Sequence, residues 1–202
     1  LSTRRIFMET QMSIEELRVL ASNLRKEGLN AQQIADELSL SQDTITWLLT
    51  STQSTDKPQD VRLGWRTIGV RPNRVAAIGA IMADVALEEC GDRIDTVVGI
   101  SINGVLFANE VASQLDCEVS IYRNVDGGPG HGSLSNKYGQ VSGKRILIVD
   151  DVLSSGTTMK KTIEWMREAG AEVALCMVLV NKTVRNEVEG VPLRGVIRAA
   201  VV

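Results

Sequence analysis

From Ser13 to Leu24 apolar residues return every three or four positions, at Ile14, Leu17, Leu20, Ala21 and Leu24. That period predicts an amphipathic helix. Ser13 followed by Glu16 supplies a capping box at its start, and Gly28 a stop just past its end. Asn30 with Gln33 opens a second helix in the same way, with Ile34, Ala35 and Leu38 on its apolar side. After a break at Ser39 and Leu40, Ser41 opens a third helix that carries Ile45, Leu48 and Leu49.

The pattern then stops. Thr50 to Asp60 is polar, rich in hydroxyls and interrupted by Pro58, the composition of a linker. We place a small all-α domain at residues 1–52, the linker at 53–60 and a second domain at 61–202. In that second domain apolar runs of strand length alternate with helical stretches. Strands are expected at 96–101, 118–122, 145–149, 172–180 and near 195–202. Helices are expected at 78–87, after a short turn at Ile102-Asn103-Gly104 through Leu115, and at 157–169. Strands separated by helices predict an α/β fold, a parallel sheet with helices on both faces.

Bulk properties narrow the field. An apolar fraction of 44% and a charged fraction of 23% are those of a globular chain. No apolar run reaches the ~18 residues of a membrane span, and no signal-peptide core is read near the start. Three widely spaced cysteines, Cys90, Cys117 and Cys176, read as structural thiols of a reducing compartment. A cytoplasmic protein with no membrane partner is therefore expected. His131 is the sole histidine, which leaves little from which to build a zinc site or a Ser-His-Asp triad. The net charge of −3 argues against indiscriminate nucleic-acid binding.

One run carries distinctive chemistry. Arg145-Ile146-Leu147-Ile148-Val149 forms a buried strand, and Asp150 and Asp151 stand at its C-terminal end. Ser154-Ser155-Gly156-Thr157-Thr158 then leads directly into a helix. Ligands of open α/β sheets bind at that edge. Backbone amides, hydroxyls and a helix N-terminus together cradle a phosphate, while the two carboxylates can accept hydrogen bonds from vicinal sugar hydroxyls. No Gly-Lys-Ser/Thr P-loop or GxGxxG turn is present.

The thirteen positions from Ile146 to Thr158 resemble the phosphoribosyl-pyrophosphate (PRPP) signature of type I phosphoribosyltransferases. That resemblance implies the phosphoribosyltransferase type I fold, with Asp150, Asp151, Ser154, Ser155, Gly156, Thr157 and Thr158 holding the ribose and its 5′-phosphate. It also implies a pyrophosphate loop at Ser101, Ile102, Asn103 and Gly104. The glycine-rich stretch 123–143 matches the family's mobile lid, where Arg123, His131 and Lys137 are the candidate residues. Trp65 and Arg66 fall where orotate-type members build a hood over the base. Trp65 as a packing residue fits that position as well. Orotate transferases carry further lysines in the lid, which this chain lacks, and Ser154 replaces the aspartate base of the 6-oxopurine transferases. Mg²⁺ is expected only together with PRPP.

Ala35, the tight turn near Ser39 and the pair Ile45/Leu48 resemble a helix-turn-helix. On that reading helix 42–49 is the recognition helix and offers Gln42, Thr44 and Thr46, with Asp43 and Trp47, to a DNA groove. Arg25 and Lys26 are the nearby candidates for phosphate contact. Residues 1–56 nevertheless hold five Arg and Lys against eight Asp and Glu. Binding by this module then depends on a homodimer or higher oligomer presenting two half-sites. A three-helix packing or dimerisation unit is the alternative. With the lysine-poor lid, the whole chain resembles the archaeal orotate phosphoribosyltransferase-like transcription regulators. Their pattern implies a DNA-binding regulator that takes PRPP or a nucleotide as effector. The alternative is a working orotate- or purine-type phosphoribosyltransferase joining PRPP to a nucleobase.

Overall fold

The computed structural model describes residues 12–50, 58, 60–64, 66–91, 93–124, 132–135 and 137–199. The chain divides into two compact units near Arg66. The first contains three helices, α1 (Ile14–Lys26), α2 (Ala31–Leu38) and α3 (Gln42–Thr50). Both capping boxes read from the sequence are formed: Ser13 with Glu16 at α1, and Asn30 with Gln33 at α2. Ser39, at φ 55°, ends α2 in the left-handed region and turns the chain into α3. Ala21, Ile34, Ala35, Leu38, Leu40, Ile45 and Leu48 form the core of this unit.

The second unit starts at Thr67, within α4 (Arg66–Gly69), and continues with α5 (Pro72–Cys90), which begins with proline at its first turn, where a missing N–H is harmless. Then follow β1 (Thr96–Ile100), α6 (Ser101–Leu115), β2 (Glu118–Asn124), β3 (Gly132–Leu134), β4 (Arg145–Leu153), α7 (Thr157–Glu168), β5 (Glu172–Asn181), β6 (Glu187–Val188) and β7 (Val191–Arg198). The strands form one sheet in the order β3-β2-β1-β4-β5-β7-β6. The pairs from β2 across to β7 are parallel, whereas β3 and β6 are short antiparallel edges.

β4 shows why the sheet is covered on both sides. Ile146 and Ile148 point to a core shared with Met159, Ile163 and Met166 of α7. Leu147 and Val149, with the opposite orientation, are also fully buried, on the side where α6 meets β1 and β4. α5 packs on α6 and β5. β1 connects through α6 outward to β2, and β4 connects through α7 in the other direction to β5. The connections therefore diverge between β1 and β4, and the C-terminal ends of those two strands form the switch-point crevice.

Four boundaries differ from the sequence reading. α5 extends well beyond 78–87 at both ends. The turn expected at Ser101–Gly104 is instead the first turn of α6. The last strand is centred earlier, at 191–198. Part of the 123–143 stretch is regular structure, because β2 runs on through Asn124 and β3 returns beside it, with Arg123 opposite Ser133. Cys90 and Cys176 are buried free thiols and Cys117 is half-buried. Among the described residues no helix is long and apolar enough to cross a membrane.

Candidate functional site

Asp150 and Asp151 lie at the switch point, near the C-terminal end of β4, and α6 reaches across to hold both. The Ser101 hydroxyl donates to Asp150 Oδ1 at 2.8 Å, and Asn103 Nδ2 donates to Asp151 Oδ2 at 2.9 Å. Backbone amides complete the set: Asp151 N–H donates to Asp150 Oδ1 and Val152 N–H to Asp151 Oδ1. Ser101 adopts φ 59°, a left-handed conformation unusual for a residue with a side chain. Its hydroxyl also accepts from the Gly104 amide at 3.1 Å.

Gly104 lets α6 come this close. A Cβ there would meet Asp150 Oδ1 at 2.8 Å, the Asp150 Cα at 2.9 Å and the Val149 carbonyl at 3.0 Å. Its need is thus the packing of α6 on β4 beneath the acid pair. Ser101, Asn103 and Gly104 all serve that pair, whereas Ile102 is 89% exposed.

Burial pushes the Asp150 carboxyl well above the usual carboxylate range, and the neighbouring Asp151 charge adds to the shift. Asp151 is raised too, again mainly by desolvation, against the opposing hydrogen bonds. Two desolvated carboxyls side by side lower stability unless something donates to them.

Beside the pair, the loop Ser154–Gly156 leads into α7. Gly156, at φ 81°, is its N-cap and gives it no side-chain cap. In a helix the amides of Thr157, Thr158 and Met159 have no intrahelical acceptor. The Ser155 hydroxyl accepts weakly from Thr157 N–H at 3.3 Å and donates to the Thr157 hydroxyl at 3.0 Å. Ser155 and Thr157 are exposed, Ser154 and Thr158 half-buried, and no acidic residue occupies the first turn. An uncapped helix N-terminus ringed with hydroxyls suits an anion.

Other expected site residues lie elsewhere. Arg123 and Lys137 are exposed, and neither is bonded to the acid pair. Arg66 begins α4 and is exposed. Trp65 and His131 lie outside the described residues. In the helical unit Gln42 and Thr46 are exposed, and the Thr46 hydroxyl donates back to the Gln42 carbonyl. Thr44 does not fit its expected place on the reading face. It is 7% exposed, and its hydroxyl bonds Ser41 Oγ and Asp60 Oδ2. Trp47 is half-buried with the Arg18 guanidinium 4.6 Å over its ring, so it too is engaged within the unit.

Sequence reasoning passed over three positions. Asp60, placed at the end of the linker, accepts from the Ser41 amide and the Thr44 hydroxyl, beside the Ser41 cap of α3. Asn181 is fully buried at the C-terminal end of β5, where it organises the following loop. Arg185, in that loop, donates to the Ser155 carbonyl at 3.3 Å. A buried amide closing the apolar run Val173–Val180 at the ligand edge of the sheet was the available signal for the last two.

The phosphoribosyl transferase domain family matches residues 64–195 of this chain. Over 94% of its length the chain is 38% identical to "Transcriptional regulator GfcR" of Thermoplasma acidophilum, and the match covers 98% of that protein. Its fold is similar to that of adenine phosphoribosyltransferase from Thermoanaerobacter pseudethanolicus, with a TM-score of 0.57 at 18% identity over 70% of this chain and 89% of the other. Orotate phosphoribosyltransferase of Mycobacterium tuberculosis, solved in complex with PRPP, gives a TM-score of 0.56 at 17% identity over 68% and 80% of the two chains. The chain belongs to the phosphoribosyl transferase domain family, in the branch of the transcriptional regulators named GfcR.

Proposed function

We propose that this protein is a DNA-binding transcription regulator whose transferase-like domain binds PRPP or a nucleotide as its effector. The observation that carries the effector is the pairing, at one switch point, of a buried two-carboxylate acceptor with an uncapped, hydroxyl-lined helix N-terminus. The 5′-phosphate sits on Ser154–Thr158 and takes the orphan amides. The vicinal ribose hydroxyls donate to Asp150 and Asp151, which Ser101 and Asn103 hold in place. The regulatory role is supported by the relatives over nearly the whole chain and by the three-helix unit ahead of the transferase-like domain.

Mg²⁺ fits this site only in company. Among the described residues no three acidic, histidine or cysteine side chains come together as a cage. Asp150 and Asp151 are the available donors, and Mg²⁺ is commonly held by one or two carboxylates plus ligand phosphates. The ion would then offset the negative charge of the bound pyrophosphate.

The intact acid pair also favours a second reading, a working phosphoribosyltransferase. Against it stand Ser154, which cannot act as a general base, and a lid stretch with Lys137 as its lone lysine. Calorimetry with PRPP and Mg²⁺ tests the effector site. The native chain should bind, and Asp150→Asn with Asp151→Asn should weaken binding by at least ~10-fold, the loss of one charge-assisted hydrogen bond. Unchanged affinity in the folded double variant would dismiss the site. Base-dependent pyrophosphate release, at the ~10 s⁻¹ typical of enzymes, would establish the transferase reading instead.

A further inference from the structure

We propose that Arg185 is a ligand-binding residue of this site, supplying the cation that a phosphate monoester meets beside the α7 N-terminus; the inference rests on the effector reading above. Arg185 belongs to the loop between β5 and β6. Its Nη1 lies 3.1 Å from where a Gly156 Cβ would stand and donates to the Ser155 carbonyl through a long bond of 3.3 Å.

Two features make this placement informative. The positive end of the α7 dipole disfavours a cation at that point, so the arrangement is electrostatically poor until an anion sits between them. Among the described residues Arg185 pairs with no carboxylate that could offset the repulsion. The chain nevertheless pins the backbone of this residue firmly. Buried Asn181 donates through Nδ2 to the Arg185 carbonyl at 2.9 Å, and Arg198 Nη2 donates to the same oxygen at 3.2 Å. The Arg185 amide donates to the Thr183 hydroxyl, which in turn donates to Asn181 Oδ1. The side chain itself is exposed and keeps only weak contacts, as a group that moves onto an arriving phosphate must. With an anion in place, the guanidinium adds charge-assisted hydrogen bonds to those of the loop amides.

Ribose 5-phosphate isolates this contact, because it carries the phosphate without the pyrophosphate. Its affinity is measured by calorimetry for the native chain, Arg185→Gln and Arg185→Lys, at ~0.1 M and ~1 M salt, where screening lengths are about 10 Å and 3 Å. Arg185→Gln should weaken binding by at least ~10-fold at low salt and by much less at high salt. Arg185→Lys should recover most of the loss, which keeps the test open if the glutamine variant is unstable. Equal losses at both salt concentrations, or no loss, would overturn the assignment. PRPP titrated into the native chain is the control for the reading beneath it. If the native chain binds neither ligand, the effector site itself fails. If it binds both and Arg185→Gln matches it, only the role of Arg185 fails.

Discussion

Burial raises the Asp150 carboxyl above its ordinary range, with the Asp151 charge as the second cause, and this makes the stability of the fold depend on pH. A carboxyl whose folded pKa lies above its unfolded value contributes most below the unfolded pKa of ~3.9. That contribution is lost as pH rises through the folded value. Ionising the buried pair therefore costs the empty protein stability. Asp150→Asn keeps an oxygen for Ser101 and the Asp151 amide but removes the buried charge. Its melting temperature should exceed that of the native chain by about 2–4 °C at pH 7.5, corresponding to ~1 kcal/mol in a chain of this size. The gain should shrink towards pH 4, and thermal melts across that range check both parts. A variant less stable than the native chain at pH 7.5 would mean that the hydrogen bonds of the carboxylate outweigh its desolvation.

At the scale of elements, the start of α3 depends on a residue outside the three-helix pattern. Asp60 Oδ2 accepts from the Ser41 amide at 2.6 Å and the Thr44 hydroxyl at 2.9 Å, and Arg62 Nε donates to the Leu38 carbonyl at 3.3 Å. The end of the expected linker thus fastens the turn between α2 and α3. Asp60→Ala should remove the acceptor that holds Ser41 and Thr44, cost about 1 kcal/mol and speed hydrogen exchange of the α3 amides by roughly 5-fold in the full chain. Unchanged exchange would show that Ser41 suffices as the cap. The same region marks how far the sequence could be read. The α1 and α2 starts were legible because Ser13/Glu16 and Asn30/Gln33 are local pairs, and the β4–α7 site was legible because all its parts lie within one run. Thr44 was misjudged because its partner Asp60 lies sixteen residues away. β3 and β6 are too short to show a period, and Arg185 reaches the phosphate loop only through the pairing of β5 with β4. Sequence patterns report neighbours along the chain, and these contacts are made across it.

For the whole molecule, the helical unit has a DNA-facing argument without the usual charge. Gln42 and Thr46 remain the exposed positions of α3 suited to base edges, and Arg25 and Lys26 stand exposed in the last turn of α1. With eight acidic residues against five basic ones in residues 1–56, non-specific binding should be poor and salt-sensitive, and specific binding should require two copies on a two-fold site. On the proposed reading, the effector would act by favouring one arrangement of such an oligomer over another. Selection of bound sequences from random DNA, with the full chain and with or without PRPP, tests this most directly. A palindrome should be enriched, its occupancy should change when PRPP is added, and it should vanish with Gln42→Ala and Thr46→Ala, since a good base contact discriminates by about 1–3 kcal/mol. Failure to enrich any sequence, in either the presence or the absence of PRPP, would contradict the account and leave the three helices as a packing module.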